Sequence, residues 1–377
     1  MVVDDKTLQI QLETPIPYFL ELLSFSIFFP VNEKMDRKGD NWNVSRQGLI
    51  GCGPFCLKKW KENDSIELVK NPKYWDEQSI HLPAILMTMV ESETEMQMFE
   101  TGELDWAGSP ISLLPLSVIY EKRGLKQLSS APMFGTSFFR INVERPPLNN
   151  ANIRKALSYA INRQELVDHI LQGGQRTALR LVPNTEGSFF ADGDEEKARQ
   201  LFFKGLKESG YSCETFPQIT LFYAIDDKNH LIAQAVQQHW KKTLGIEVLL
   251  ERNESKVYFQ RLAKQDYQIA IGSWIGDYND PETFLEVFKY KQASTNNTQW
   301  ENSAYTKLLD ISRTLKGETR NEVLHQCEAL LLQEMPIIPI YHFKSLYLQN
   351  PKLKNVFVSP LGNLDFKWAY LEDYTYD

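Results

Sequence analysis

Cysteine is scarce in this sequence, which has four cysteines in 377 residues. Cys52 and Cys56 lie on a predicted strand, where a spacing of four residues puts their Cα atoms about 13 Å apart, too far for a disulfide bond. Cys213 and Cys327 lie far from them in the sequence. No second closely spaced pair accompanies Cys52 and Cys56, so we expect no metal or redox role for them.

Positive charge and long apolar segments are also lacking. The 41 Lys and Arg residues are outnumbered by 49 Asp and Glu residues, which gives a formal net charge of −8. A protein that binds a nucleic-acid backbone normally has the opposite balance. The longest apolar run, residues 22–31, is interrupted by Ser24, Ser26 and Pro30 and is shorter than the roughly 20 residues that cross a bilayer. We therefore expect no nucleic-acid partner and no membrane-spanning segment.

The first residues of the chain do not have the pattern of a secretion signal. They read MVVDDKTLQIQLETPIPYF, without a basic segment, a continuous apolar segment or a small-residue cleavage site. The chain as given is therefore expected to have no signal peptide. Leu8, Ile10 and Leu12 alternate with polar residues, which predicts a half-buried strand over residues 7–12.

The common catalytic motifs are missing as well. The sequence contains no H-E-x-x-H, no G-x-S-x-G and no G-x-x-x-x-G-K-[ST], and GCGPFC lacks the third glycine of a dinucleotide-binding loop. We therefore expect no enzyme activity and no cofactor, and a hydrolase is a distant possibility. Tyr341 and His342, at the end of an apolar extended segment, are candidates for lining a cleft. A lone histidine on an apolar strand is, however, more often a structural residue.

The order of predicted elements indicates an α/β fold with more than one domain. The length fits two or three domains. Residues 51–70 predict a β-hairpin, whereas helices and strands alternate between residues 139 and 271, a pattern typical of α/β proteins. A helix over residues 194–208 would bury Ala198, Leu201, Phe202 and Leu206 on one face and end at Gly210, and a strand is predicted over residues 219–224.

Two breaks in the pattern predict the domain borders. Pro146-Pro147 marks a change of composition, and the apolar segment at residues 336–341 carries the chain out of the α/β region. We expect residues 1–138 to form a first lobe, residues 139–342 a second α/β lobe, and residues 343–377 a return to the first.

The loop that follows the predicted strand over residues 267–271 contains a dense cluster of aromatic and carboxylate side chains. It brings Trp274, Asp277, Tyr278 and Asp280 together within seven residues. Aromatic side chains offer apolar walls with polar groups, and a partly buried carboxylate can bind a cationic group. Asp280, directly before Pro281, is expected to cap a helix. Asp277 is left without a structural role, so we predict that it contacts a ligand.

Three long segments then resemble one known family. GCGPFCLKKWKENDSIELVKNPKYWD is similar to the family's G-x-G-P-F-x-L-x-x-W and N-P-x-Y-W pattern. INVERPPLNNANIRKALSYAINRQEL resembles its N-x-x-x-x-P and R-x-A pattern, and GSWIGDYNDPETFL resembles its W-x-x-D-Y-x-D-P loop. The chain is identified as a member of the extracytoplasmic solute-binding proteins of ABC importers, of the oligopeptide- and dipeptide-binding type (family 5). The resemblance covers essentially the whole chain, but the family's N-terminal part, with its first strand and small extra lobe, is expected to be missing.

The resemblance implies a two-lobe, periplasmic-binding-protein-like (type II) α/β fold and a ligand site around the Trp274 loop. Asp277 would bind the ammonium group of a short peptide. The backbones of Ser273 and Ile275 would pair with the peptide main chain. Trp274 would form the wall of a side-chain pocket, with Tyr278 also in contact.

The resemblance also implies partners and a location, and it leaves alternatives open. The chain would deliver peptides to the permease subunits of an ABC importer and would be periplasmic or at the cell surface. Leu262 and Ile271 stand where relatives often place arginines for the peptide carboxylate, which leaves ligand length open. The alternatives are an interaction or regulatory module, a degenerate fragment, or a relative that binds another solute such as a nickel complex or haem.

Overall fold

The structure is a computed structural model that describes residues 1–37 and 49–372. In chain order its strands are β1 (Val2–Asp4), β2 (Thr7–Leu8), β3 (Phe55–Lys61), β4 (Ser65–Lys70), β5 (Ala84–Thr88), β6 (Trp106–Gly108), β7 (Ser129–Ile141), β8 (Arg176–Thr177), β9 (Ile219–Ala224), β10 (Val248–Asn253), β11 (Ile269–Ile275), β12 (Ile337–Gln349), β13 (Leu353–Lys354), β14 (Phe357–Val358), β15 (Leu364–Asp365) and β16 (Tyr370–Leu371).

The helices alternate with these strands. They are α1 (Phe19–Leu22), α2 (Glu33–Asp36), α3 (Ser92–Glu100), α4 (Leu116–Gly124), α5 (Ala151–Tyr159), α6 (Arg163–Glu165), α7 (Glu195–Ser209), α8 (Asp227–Leu244), α9 (Ser255–Ala263), α10 (Glu282–Leu285), α11 (Ser303–Thr314) and α12 (Gly317–Glu334). A π-helix covers Leu166–Leu171, and short 3-10 helices cover Ser26–Phe28, Glu77–Ser79 and Glu286–Phe288.

The chain divides into two compact units. One contains Met1–Phe25 and Phe134–Phe343, and the other contains Ser26–Met133 and Lys344–Asp377. The borders therefore fall after Phe25, within β7 and within β12. The expected first lobe of residues 1–138 differs from this division, because the first 25 residues belong with the α/β unit. The physical reason is Tyr18, whose ring is buried and stacks on Tyr278 with 4.9 Å between the ring centroids.

The unit of Ser26–Met133 and Lys344–Asp377 is built on antiparallel pairs. β3 and β4 pair with Phe55 opposite Lys70, which confirms the predicted hairpin. β5 extends this sheet beside β4. β6 pairs with the end of β12. Part of the core consists of apolar side chains from three regions of the chain, namely Leu82, Trp106, Leu353 and Ala369.

The other unit has the predicted α/β character. β9 lies between β10 and β11 and is parallel to both. β7 is antiparallel to β11 and pairs with every residue of β11. The helices α5, α7 and α8 pack together beside the sheet. The strand predicted over residues 219–224 is confirmed as β9. The alternation of helices and strands therefore predicts the class of this unit correctly.

Helix α7 shows why the sequence forms these elements. The side chain of Asp194 accepts a hydrogen bond from the backbone N of Lys197 at 2.9 Å, which caps the N-terminus. Gly210 ends the helix with a φ of 73°, a left-handed conformation that favours glycine. Phe202 is buried on the inner face as predicted, together with Ala198 and Leu206.

Two predicted elements differ in the structure. The strand predicted over residues 7–12 is reduced to β2. Among the described residues it pairs only with β1, and Leu8 and Ile10 are exposed. The strand predicted to end at residue 271 continues to Ile275, because β7 supplies partners up to the pair of Ile275 with Gly135. The first part of the predicted loop is therefore a strand.

Adjacent phenylalanines on α7 test the packing of this unit. Phe202 is 1% exposed and Phe203 is 56% exposed. We expect Phe202→Ala to lower the free energy of unfolding by about 3–5 kcal/mol, because it removes a buried ring and leaves a cavity. Phe203→Ala should change it by less than about 1 kcal/mol. Denaturant titration measures both values, and equal losses in the two variants would contradict the assigned inner face of α7.

Candidate functional site

The candidate site is built on strand β11. Its pairing with β7 is continuous: the backbone N of Asn142 donates to the O of Gln268 at 2.9 Å near one end, and the N of Gly276 donates to the O of Phe134 at 2.8 Å past the other. Both N–H and C=O of a strand residue point to one side, and the side alternates along the strand. The even-numbered residues of β11 therefore use their backbone groups to pair with β7.

The odd-numbered residues of β11 face the opposite edge. β9 covers this edge only at Ile269 and Ala270. Within the described residues no strand pairs with it from Ile271 to Ile275. The backbone groups of Ser273 and Ile275 therefore point towards an open strand edge, and both residues are exposed. An extended peptide can add to such an edge through main-chain hydrogen bonds.

Asp277 follows this edge directly. Its backbone N donates to the Thr283 hydroxyl at 3.0 Å, which fixes the residue against α10. Its carboxylate is partly buried and has no hydrogen-bond or ion-pair partner in residues 1–37 and 49–372. Burial raises the pKa of the Asp277 carboxyl above its ordinary value of 3.8. A cationic ligand group would therefore relieve an unfavourable charge at this position.

Trp274 and Tyr278 lie on either side of Asp277 in the sequence but differ in exposure. Trp274 is partly exposed, and its indole N–H is buried without a hydrogen-bond acceptor in the described part of the chain. Tyr278 is 4% exposed, and its hydroxyl donates to Glu286 at 2.9 Å. Tyr278 therefore packs beneath the loop as a support, whereas Trp274 keeps a surface beside the strand edge.

A buried ionic network holds the loop from below. Asp280 accepts a hydrogen bond from the backbone N of Glu282 at 2.9 Å, so it caps α10 as predicted, and it also accepts two from Arg320 at 2.6 and 2.8 Å. The fully buried Glu282 pairs with Arg320 and Arg313. Sequence reasoning did not find the two arginines, because each lies more than 30 residues from the carboxylate that it binds and no local motif links it to the loop.

Tyr341 and His342 lie on opposite faces of β12, because successive strand side chains alternate. The Tyr341 ring meets the Phe343 ring edge-on at 5.4 Å, and Phe343 lies against Gly135, the partner of Ile275. Phe343 thus lies between Tyr341 and the pair of β7 with β11. That Tyr341 and His342 line a ligand cleft stays a prediction, and the structure places their side chains on different faces.

His342 belongs to a separate polar pocket. The Thr136 hydroxyl donates to the O of Leu181 at 2.7 Å, so it accepts from Nδ1 of His342 at 2.8 Å. Burial, with Arg176 and Arg180 nearby, lowers the pKa of His342 to about 3, so the ring is neutral. The pocket has a volume of about 430 Å³ and is also lined by Gln175.

Arg140 is a second residue that sequence reasoning did not find. It lies on β7 opposite Ala270, and its Nη2 donates to the backbone O of Ser273 at 3.1 Å. To reach this atom the side chain passes over Gly272, where a Cβ would lie 1.7 Å from Arg140 Nη1. The glycine in GSW was a possible signal, since a glycine within a strand often marks a close approach.

The described residues offer neither a metal site nor a membrane-spanning helix. In residues 1–37 and 49–372 no three His, Cys, Asp or Glu side chains are grouped so as to hold a metal ion. None of the helices in this part of the chain is both long and apolar enough to span a membrane. The strand edge of β11 and the loop after it remain the candidate site.

The chain is similar to known solute-binding proteins. Residues 1–296 match the family described as bacterial extracellular solute-binding proteins, family 5 Middle. The chain is 41% identical to the oligopeptide-binding protein OppA of Bacillus subtilis and 36% identical to the dipeptide-binding protein DppE of the same organism. The alignments cover 98% and 97% of this chain and 70% and 68% of those proteins.

Solved structures show the same fold. A periplasmic oligopeptide-binding protein of Borrelia burgdorferi has a TM-score of 0.84 and 30% identity, over 98% of this chain and 74% of that one. Listeria monocytogenes OppA bound to peptide has a TM-score of 0.79 and 27% identity, over 99% and 75%. The predicted two-lobe, periplasmic-binding-protein α/β fold is therefore confirmed, and the chain belongs to the bacterial extracellular solute-binding proteins of family 5.

Proposed function

We propose that this chain is the peptide-binding component of an ABC importer. It binds short peptides, performs no catalysis on them, and delivers them to the permease subunits of the importer from the periplasm or the cell surface. The relatives support the proposal, since several are named for binding oligopeptides, dipeptides or murein peptides. The geometry of β11 supports it independently.

The partly buried Asp277 carboxylate is the single observation that carries the proposal. It lacks a partner in the described residues, and burial raises its pKa, so the folded chain holds a destabilised negative charge. The charge of Asp277 also acts on Glu286, whose pKa is raised mainly by burial and in part by repulsion from Asp277. A peptide ammonium group supplies a positive charge with three hydrogen-bond donors, which fits this position.

The strand edge explains how different peptides could be bound by one site. Ser273 and Ile275 offer backbone groups, and main-chain pairing gives affinity without selecting side chains. The partly exposed ring of Trp274 lies beside this edge and would form an apolar wall for a ligand side chain. Binding would therefore require a free amino terminus and an extended main chain.

Asp277→Asn tests the ammonium site. We expect the variant to bind a short peptide with a free amino terminus more weakly by about 2–5 kcal/mol, because the substitution removes the charge that pairs with the ammonium group. Isothermal titration calorimetry measures the difference. Asp266→Asn is the matched control, since Asp266 is an exposed carboxylate before the start of β11. Equal peptide affinity in the Asp277→Asn variant and the unmodified chain would remove Asp277 from the site.

The pH dependence of binding tests the same group differently. Only the ionised carboxylate attracts an ammonium group, so peptide affinity should fall as the pH drops through the raised pKa of Asp277. It should also fall as the pH rises past about 8, where the peptide amino group loses its proton. Calorimetry from about pH 4 to pH 9 would show a plateau between two limbs, with the acidic limb reduced in Asp277→Asn. A flat profile on the acidic side would contradict the assignment.

A further inference from the structure

Arg140 reaches the open edge of β11 from the opposite side of the strand. Its backbone is part of β7, yet its guanidinium binds the backbone O of Ser273, an odd-numbered residue whose carbonyl points away from β7. The side chain can cross only because residue 272 is glycine. The strand pairing and the glycine together therefore place a positive charge at the edge where we propose that peptides bind.

The described residues do not neutralise this charge. Arg140 is 8% exposed and forms no ion pair with an aspartate or glutamate in this part of the chain. Its neighbours are aromatic: the guanidinium lies 5.0 Å from the centroid of the Phe138 ring, and its charge also acts on the Tyr258 hydroxyl. A buried charge is normally paired with an opposite charge, because removal from water is costly. A carboxylate from a ligand would supply the missing partner.

Side-chain donors already occupy part of this edge. The Tyr258 hydroxyl donates to the O of Ile271 at 2.6 Å, and Arg140 donates to the O of Ser273. A carbonyl oxygen has two lone pairs, so a peptide N–H can still reach the O of Ser273, but only beside the guanidinium. Main-chain pairing that starts at Asp277 and passes Ile275 therefore meets Arg140 at Ser273.

We propose that Arg140 binds a carboxylate of the bound peptide at this end of the edge, and so selects short peptides with a carboxylate three or four residues from the amino terminus. The inference rests on the proposed peptide-binding function. Ser273 and Asp277 are four residues apart, and because β11 ends at Ile275, their Cα atoms lie at most about 13 Å apart. An extended peptide of three or four residues spans a similar length, about 10–14 Å. The carboxylate is either the C-terminus or an acidic side chain.

A set of matched peptides tests the proposal with the full chain. Trialanine and tetraalanine are compared as free acids, as C-terminal amides, and as amides with glutamate at the last position. We expect the free acids to bind at least about tenfold more tightly than the plain amides, because a hydrogen bond to a charged group is lost in the amides. Recovery of affinity by the glutamate amides would identify a side-chain carboxylate as acceptable, and its absence would identify the C-terminus as the ligand.

Two variants separate the role of Arg140 from a role in folding. Arg140→Gln removes the charge. Gly272→Ala keeps the charge but displaces the guanidinium, because the new Cβ would occupy the place of Arg140 Nη1, at the flexible end of the side chain. Both should bind free acids and amides within about threefold of each other. Arg199→Gln, an exposed arginine on α7, should keep the full discrimination. Thermal unfolding of each variant confirms that the fold is retained.

The outcomes distinguish this proposal from the proposed function. Equal affinity of the unmodified chain for free acids and all amides, with N-acetylation still preventing binding, would overturn the role of Arg140 and leave the peptide-binding function intact. Full discrimination in both Arg140→Gln and Gly272→Ala would also overturn it. A chain that binds no peptide with a free amino terminus would overturn both proposals.

Discussion

The pairing of β11 with β7 is the interaction on which the candidate site depends. It occupies the backbone groups of alternate residues on one side of β11 and turns those of Ser273 and Ile275 to the other side. Because β9 pairs with β11 only at its start, the second side stays open in the described structure. The same register sets Arg140 opposite Ala270 and so brings its side chain across Gly272. The open edge of β11, the position of the Arg140 guanidinium and the start of the loop that contains Asp277 are thus all set by the pairing of these two strands.

The loop after β11 depends on buried charges for its position. Asp280 and the fully buried Glu282 are both paired with Arg320, and the Tyr18 ring lies 5.3 Å from its guanidinium carbon. Burying these charges is costly unless each is paired and hydrogen-bonded, and here the pairs supply both. The paired carboxylates hold α10 in place. Asp277 is the neighbouring carboxylate that lacks such a partner in the described residues, which is why we propose that it binds the ligand.

Local patterns predicted much of the fold, because their causes are local. The cap at Asp194, the left-handed Gly210 and the buried face of α7 are all encoded within 17 residues of sequence. The strand predicted over residues 7–12 was wrong, since alternation alone does not provide a sheet to cover the side chains. β11 proved longer than predicted, since its length is set by partners on β7, which lie more than 120 residues away in the chain.

For the candidate site, too, the sequence pointed to the residues of a local motif and not to those that reach it through tertiary structure. The motif around Trp274 pointed to Asp277, Ser273 and Ile275, and the structure places them along one open edge and the start of the following loop. Arg140 and Arg320 carry no local signal, because each reaches this region through tertiary structure. The contact of Tyr341 and His342 with a ligand stays a prediction, and the structure adds that these adjacent strand residues face opposite sides.

Residue-resolved amide hydrogen exchange in the presence of a short peptide tests the central claim most directly. The account predicts that the amides of Ser273 and Ile275 exchange quickly in the free chain and are strongly protected when a peptide pairs with the edge. The amides of Gly272 and Trp274 face β7 and should be protected in both states. Peptide binding that leaves the Ser273 and Ile275 amides exchanging as fast as before would contradict strand addition at β11.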